Sequence, residues 1–178
     1  LDELGTMVDE LLHYAKMERR QAPLQLSCQS LNTSLQELIA HLQFETDIAL
    51  ELTTTEPLEA MVDLRLWHRA ISNIIRNGYR YASQSVSIKL SGDTDRIRLH
   101  IANDGPGIRD EDKQRIFDPF VRIDKSRDRD SGGHGLGLAI SAQIIRQHGG
   151  DITISDTANG GPSFDIWLPK PTTSCQNR

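Results

Sequence analysis

Ile97-Arg98-Leu99-His100-Ile101-Ala102-Asn103-Asp104-Gly105-Pro106-Gly107-Ile108 is the stretch that decides the fold. Ile97, Leu99 and Ile101 alternate with polar or small residues, the period of a strand with one face in a core. The alternation runs into two glycines around a proline, a tight loop in which backbone can approach a ligand. Parity separates two side chains: Asn103 continues the inward series, and Asp104 points outward. A plain turn has the same composition, so this loop alone leaves both a ligand site and a bare turn open.

Upstream, Val86, Ile88 and Leu90 alternate, and a turn at Gly92-Asp93 joins them to the quoted strand as a hairpin. Ile152 and Ile154, then Phe164, Ile166 and Leu168, form a second hairpin. Leu24 and Leu26 suggest a short strand, and Ile48, Leu50 and Leu52 another. Leu31, Leu35, Leu38, Ile39 and Leu42 mark an amphipathic helix. Asp63 N-caps a long helix running to about Ala82, and a third helix over 137–148 stops at Gly149-Gly150. A short helix is expected near 110–117. Residues 1–20 read as one more helix, ended by Pro23. Its Leu1, Leu4, Val8, Leu11 and Ala15 follow the period of 3.5 that marks a coiled-coil seam, although two heptads also suit an ordinary packed helix.

Hairpins plus three helices give the α+β class: a two-layer sandwich with a mixed sheet covered on one face by three helices. Strands and helices do not alternate strictly, so a doubly wound parallel sheet is disfavoured. Residues 23–170 form one domain, 1–22 are the end of a preceding helical element, and 171–178 are a frayed polar tail.

The net charge of −5 over 178 residues argues against a nucleic-acid footprint. No apolar run approaches the roughly 18 residues of a membrane span. Cys28 and Cys175 sit near opposite ends without a CxxC pair, so neither a disulfide framework nor a zinc site is expected. A reducing cytoplasmic setting fits that usage.

Two further segments carry chemistry. On the long helix Trp67, Ala70, Ile71, Ile74, Ile75 and Gly78 share the apolar face, and Asn73, Asn77 and Arg80 form a polar stripe beside it. Asparagine is unfavourable inside a helix, so the stripe is either a solvated edge or the wall of a polar pocket. A carboxamide oxygen suits Mg²⁺, and an arginine one turn away suits phosphate. The second segment is Gly132-Gly133-His134-Gly135-Leu136-Gly137-Leu138. It opens a helix, where exposed N–H groups and the positive end of the dipole make an anion site. No Gly-Lys-Ser/Thr follows it and no strand immediately precedes it, so it is neither a P-loop nor a Rossmann fingerprint. Between the loops lie Ile116-Phe117-Asp118-Pro119-Phe120-Val121-Arg122, whose two phenylalanines also suit a core, and a charged run from Asp124 to Asp130 that is expected to be a mobile lid.

In this order the segments resemble the boxes of sensor histidine kinase catalytic domains, in the ATPase superfamily shared with gyrase B, Hsp90 and MutL. Asn73 to Tyr81 is similar to the N box, Asn103 to Ile108 to the G1 box, Ile116 to Phe120 to the F box, and Gly133 to Leu138 to the G2 box. The stretch Ser126 to Gly133 is most similar to the RstB and CpxA type. The resemblance covers about residues 24–169 and implies the sandwich known as the Bergerat fold. It implies ATP and Mg²⁺ as cofactors, with Asn77 on the metal and Arg80 and Arg122 on phosphates. Tyr81 and Ile108 would pack on adenine. Asn103, Gly105 and Gly107 would shape the base end, and Phe117 and Phe120 would line the site. Gly133, Gly135, Leu136, Gly137 and Leu138 would cradle phosphate, and 118–134 would be the ATP lid. Asn73, Asn77, Arg80 and Arg122 would form the catalytic set. Implied partners are the protein's own dimerisation and phosphoacceptor domain and a cognate response regulator. The whole protein would be a homodimer anchored in the bacterial inner membrane, with this domain in the cytoplasm.

Two departures stand out. The G1 box usually opens with Asp, and here it opens with Asn103, a weaker acceptor for the adenine 6-amino group. The phosphoacceptor motif, a His followed by an acidic residue and soon by Pro, fits none of His13, His41, His68, His100, His134 and His148. The chain alone is therefore expected not to phosphorylate itself. Gyrase B and Hsp90 place a water-activating Glu where this chain has Asn73, a poor base, so transfer is favoured over hydrolysis. A slow ATPase of the same fold and a nucleotide-blind interaction module are the alternatives.

Overall fold

The computed structural model describes residues 23–43, 46–123 and 135–171. The expected helix over 1–20, Gly133, most of the expected lid and the tail after residue 171 lie outside them.

The elements are β1 (Ser27–Ser30), α1 (Leu31–Leu42), β2 (Ala49–Thr54), β3 (Glu59–Val62), α2 (Leu64–Tyr81), β4 (Ser85–Gly92), β5 (Arg96–Asn103), α3 (Gly137–Gln147), β6 (Asp151–Asp156) and β7 (Pro162–Pro169). The main sheet runs β2-β4-β5-β7-β6. β2 and β4 pair in parallel, which requires a crossover, and α2 lies in that connection. The other pairs are antiparallel, including both expected hairpins, β4–β5 and β6–β7. This is the expected mixed sheet with three helices.

The core follows from parity. Val86, Ile88 and Leu90 of β4, Ile97, Leu99 and Ile101 of β5, and Phe164, Ile166 and Leu168 of β7 share one buried face. Against it pack Leu31, Leu35, Leu38 and Leu42 of α1 and the apolar face of α2, including Trp67, Ile71, Ile74 and Ile75. A second cluster, Leu66, Ala70, Leu136, Ile140 and Ile144, joins α2 to α3.

Asp63 starts α2 as expected. One carboxylate oxygen accepts the Leu66 N–H at 3.2 Å, and the other accepts the Gln25 N–H at 3.1 Å. The Asp63 N–H donates to His148 Nε2 at 3.0 Å, so Nδ1 carries the ring proton and donates to the Ile144 carbonyl at 2.7 Å. One imidazole thus ties the start of α2 to the end of α3.

Three local expectations are corrected. The first strand is Ser27–Ser30, not Leu24–Leu26: it is placed by pairing with β3, and Leu26 is exposed. β3 itself, four residues long, is too short to show a period. The expected helix near 110–117 is a run of turns with a 3₁₀ turn only at Arg115–Phe117. The buried Asp112 carboxylate, accepting from Arg109 Nε and Nη2 at 2.9 and 2.7 Å, holds those turns. Finally, Cys28 is disulfide-bonded. Cysteine spacing along a chain does not reveal which Cα atoms the fold brings within bridging distance.

Candidate nucleotide site

The site is built along α2. Asn73 is half-buried, and its Nδ2 donates to the Gly137 carbonyl at 3.2 Å. Ser141 Oγ lies 2.9 Å from both the Ala70 and Gly137 carbonyl oxygens, so its single proton serves one or the other. These contacts dock the first turn of α3 on α2. Leu136 at the cap position makes no side-chain capping bond, and its own side chain is fully buried. Leucine offers no side-chain oxygen to the orphan N–H groups of the first turn, which suit an anion.

At the C-terminal end of α2, three backbone passes converge. A Cβ on Gly105 would collide with the Tyr81 carbonyl oxygen, and one on Gly161 would collide with the Asn103 carbonyl oxygen. A Cβ on Gly107 would lie 2.6 Å from the Gly160 carbonyl oxygen. Only glycine permits this closeness. Gly78 and Asn103 meet there as well, with 4.0 Å between an ideal Gly78 Cβ and the Asn103 Cβ. Asn103 is 4% exposed, and its Nδ2 has no hydrogen-bond partner. The parity reading is right for both residues, since Asp104 points out. Its carboxylate accepts the N–H groups of Ser83, Gln84 and Ser85 at 2.8–3.2 Å, clamping the loop to the segment between α2 and β4.

Those bonds, led by the Gln84 N–H, hold the Asp104 carboxyl below its ordinary 3.8. A folded value below the unfolded one makes the linked stability present above 3.8 and lost as the pH falls through the lower value. Asp104→Asn should therefore flatten acid unfolding below about pH 4, since an amide does not titrate there. Circular dichroism against pH checks this, and an acid profile identical to wild type would count against the clamp.

The segment after the glycine loop is pinned to β6. Lys113 Nζ lies 2.6 Å from both Asp110 and Asp156. Ile108 packs partly buried against the core, and Tyr81 is half-buried. Phe117 stands edge-on to Phe164, with centroids 6.4 Å apart at 81°, so its ring packs into the core. Phe120 is 51% exposed with a φ of 66°, a strained region for a bulky residue. Its N–H donates to the Gly135 carbonyl at 2.9 Å, and Gly135 has a φ of 73°. Phe120 and Gly135 are thus tied to each other directly. Arg80 and Arg122 are exposed, Asn77 is half-buried, and Leu138 packs partly buried against the core.

Asn73 and Gly137 therefore meet at the middle of α2, and Tyr81, Asn103, Gly105 and Gly107 gather at its C-terminal end. The eight helical steps from Asn73 to Tyr81 put these two places about 12 Å apart. Gly160 and Gly161 belong to the same site, but the sequence marks them only as a turn. Asn159-Gly160 between alternating runs signals a hairpin, while contact between that turn and the glycine loop is a tertiary fact.

For a metal, the donor chemistry is decisive. Among the described residues no group of three or more His, Cys, Asp or Glu could hold an ion. Asn77 offers one neutral oxygen. That suits Mg²⁺ brought in by phosphates and kept mostly by them and water, not an all-protein cage. The uncapped helix, the glycine cradle and the unpartnered Asn103 amide fit the two ends of a nucleotide.

A family model described as histidine kinase-, DNA gyrase B-, and HSP90-like ATPase matches residues 62–172. The sensor protein RstB of Escherichia coli is 37% identical over 171 residues, which are 95% of this chain and 40% of that protein. The sensor histidine kinase CpxA of Escherichia coli is 33% identical over 170 residues, 93% of this chain and 37% of that protein. The chain thus spans about 40% of the length of these relatives. The solved mycobacterial sensor histidine kinase MprB is 26% identical, with a TM-score of 0.72 over 83% of this chain and 99% of that one. No helix among the described residues is long and apolar enough to cross a membrane.

Proposed function

The chain belongs to the histidine kinase-, DNA gyrase B- and HSP90-like ATPase family, and from that premise we propose that it is the Mg·ATP-binding catalytic domain of a sensor histidine kinase. Its task is to pass the γ-phosphoryl group of ATP to a histidine on the protein's own dimerisation domain, for relay to a response regulator. The observation that carries this is the hydrogen bond from Asn73 to the Gly137 carbonyl, which seats an uncapped helix N-terminus on the polar stripe of α2.

Asn103 meets the base edge, flanked by Tyr81 and Ile108. Asn77 holds the metal, which supplies charge neutralisation on the triphosphate when bound. Arg80 and Arg122 contact the phosphates, and the N–H groups of Gly135, Leu136 and Gly137 donate to the phosphate oxygens. Asn73 is a positioning residue here: its amide N–H holds α3, and it offers no carboxylate to activate water. Hydrolysis is therefore slow relative to transfer. Phe117 serves the site through packing. The whole protein is a homodimer with a membrane anchor, and this domain works in the cytoplasm.

The nucleotide-blind alternative leaves the glycine-only cradle and the buried amide without a purpose. A calorimetric titration with Mg·ATP separates the two readings, because the module would show no heat of binding. With γ-labelled ATP the isolated chain should take up no stable label. Adding a phosphoacceptor domain should place label on that domain's histidine. Label retained on this chain alone, or steady hydrolysis unaffected by the acceptor, would contradict the kinase reading.

A further inference from the structure

Asn103 is almost wholly buried, and its Nδ2 donates to nothing. A buried amide left unpaired is costly and needs an explanation. Gly78 and Gly105 border its side chain, and Val86 is its partner across the sheet. An ideal Gly105 Cβ would lie 2.7 Å from that Nδ2, and Gly161 backs onto the Asn103 carbonyl. Among the described residues no side chain accepts a hydrogen bond from that Nδ2. The terminal torsion of Asn is broad and roughly two-fold, so a half-turn exchanges Oδ1 and Nδ2. Because Nδ2 makes no bond, turning it outward breaks none.

A carboxylate at this place could only accept. A carboxamide accepts in one orientation and donates in the other. We propose that Asn103 makes the base end of the site permissive: Oδ1 receives the amino group of a 6-aminopurine, and Nδ2 serves the carbonyl of a 6-oxopurine. The chain then binds adenine and 6-oxopurine nucleoside triphosphates with comparable affinity. This rests on the reading of the site as a nucleotide pocket, and it names the base specificity of that pocket.

The test is a set of competition titrations of Mg·ATP, Mg·ITP and Mg·GTP on the chain and on Asn103→Asp. ITP carries the 6-oxo group without the 2-amino group of GTP, so it isolates the contact in question. On the wild-type chain ITP should bind within about tenfold of ATP, and Asn103→Asp should move the ATP-to-ITP ratio by roughly tenfold towards ATP. A wild-type chain that holds ATP but binds ITP more than about a hundredfold more weakly overturns the proposal while leaving the nucleotide reading intact. A ratio unmoved in a folded Asn103→Asp does the same. Binding of none of the three overturns the nucleotide reading, and this inference with it. If the buried aspartate prevents folding, as circular dichroism would reveal, the wild-type ratio alone decides.

Discussion

Gly105→Ala is expected to abolish measurable Mg·ATP binding and to lower the melting temperature of the chain. The added methyl would overlap the Tyr81 carbonyl oxygen and crowd Asn103 Nδ2. The first obstacle is fixed, because it is main chain at the end of α2. Overpacking against rigid neighbours costs about 1–3 kcal/mol or more, and relief can come only by lifting the glycine loop off α2. That movement opens the base end of the site. Gly160→Ala is the useful contrast. Nothing lies near a Cβ there, so only the φ of 83° is unfavourable, a penalty of about 1–2 kcal/mol without a collision. Calorimetry and thermal melts on both variants check the pair. Equal ATP affinity in Gly105→Ala and wild type would mean that the loop does not form the base pocket.

Asn77→Ala should leave the fold intact and remove most of the Mg-dependent part of ATP binding. Alanine is the better helix former, and Asn77 is only half-buried, so stability should hold or rise slightly. Losing a polar group that interacts with a charge costs about 1.5–3 kcal/mol, or roughly ten- to a hundredfold in affinity. The decisive measurement is the difference in ATP affinity with Mg²⁺ and with a chelator, in each version. If that difference is the same in both, Asn77 is not the metal ligand. Asn77→Asp is a poorer test, because the added charge attracts the metal and repels the phosphates.

The sequence by itself determined the architecture. Alternation in β4, β5 and β7 and the apolar face of α2 reach the core as read, since burial of one face leaves each element a single workable orientation. It also determined the opposed directions of Asn103 and Asp104, because strand parity carries over one residue into the loop. Tertiary structure decided what touches what. β1 and β3 exist through their pairing, too short for any period to announce them. Phe117 meets Phe164 forty-seven positions later, so its packing role is invisible locally. The bond from Asn73 to Gly137 and the closeness of Gly161 to Asn103 join segments 64 and 58 positions apart. Periodicity reports which face of an element seeks the core, because burial acts on each residue separately. Contacts between distant segments depend on how the layers stack, and no local pattern records that.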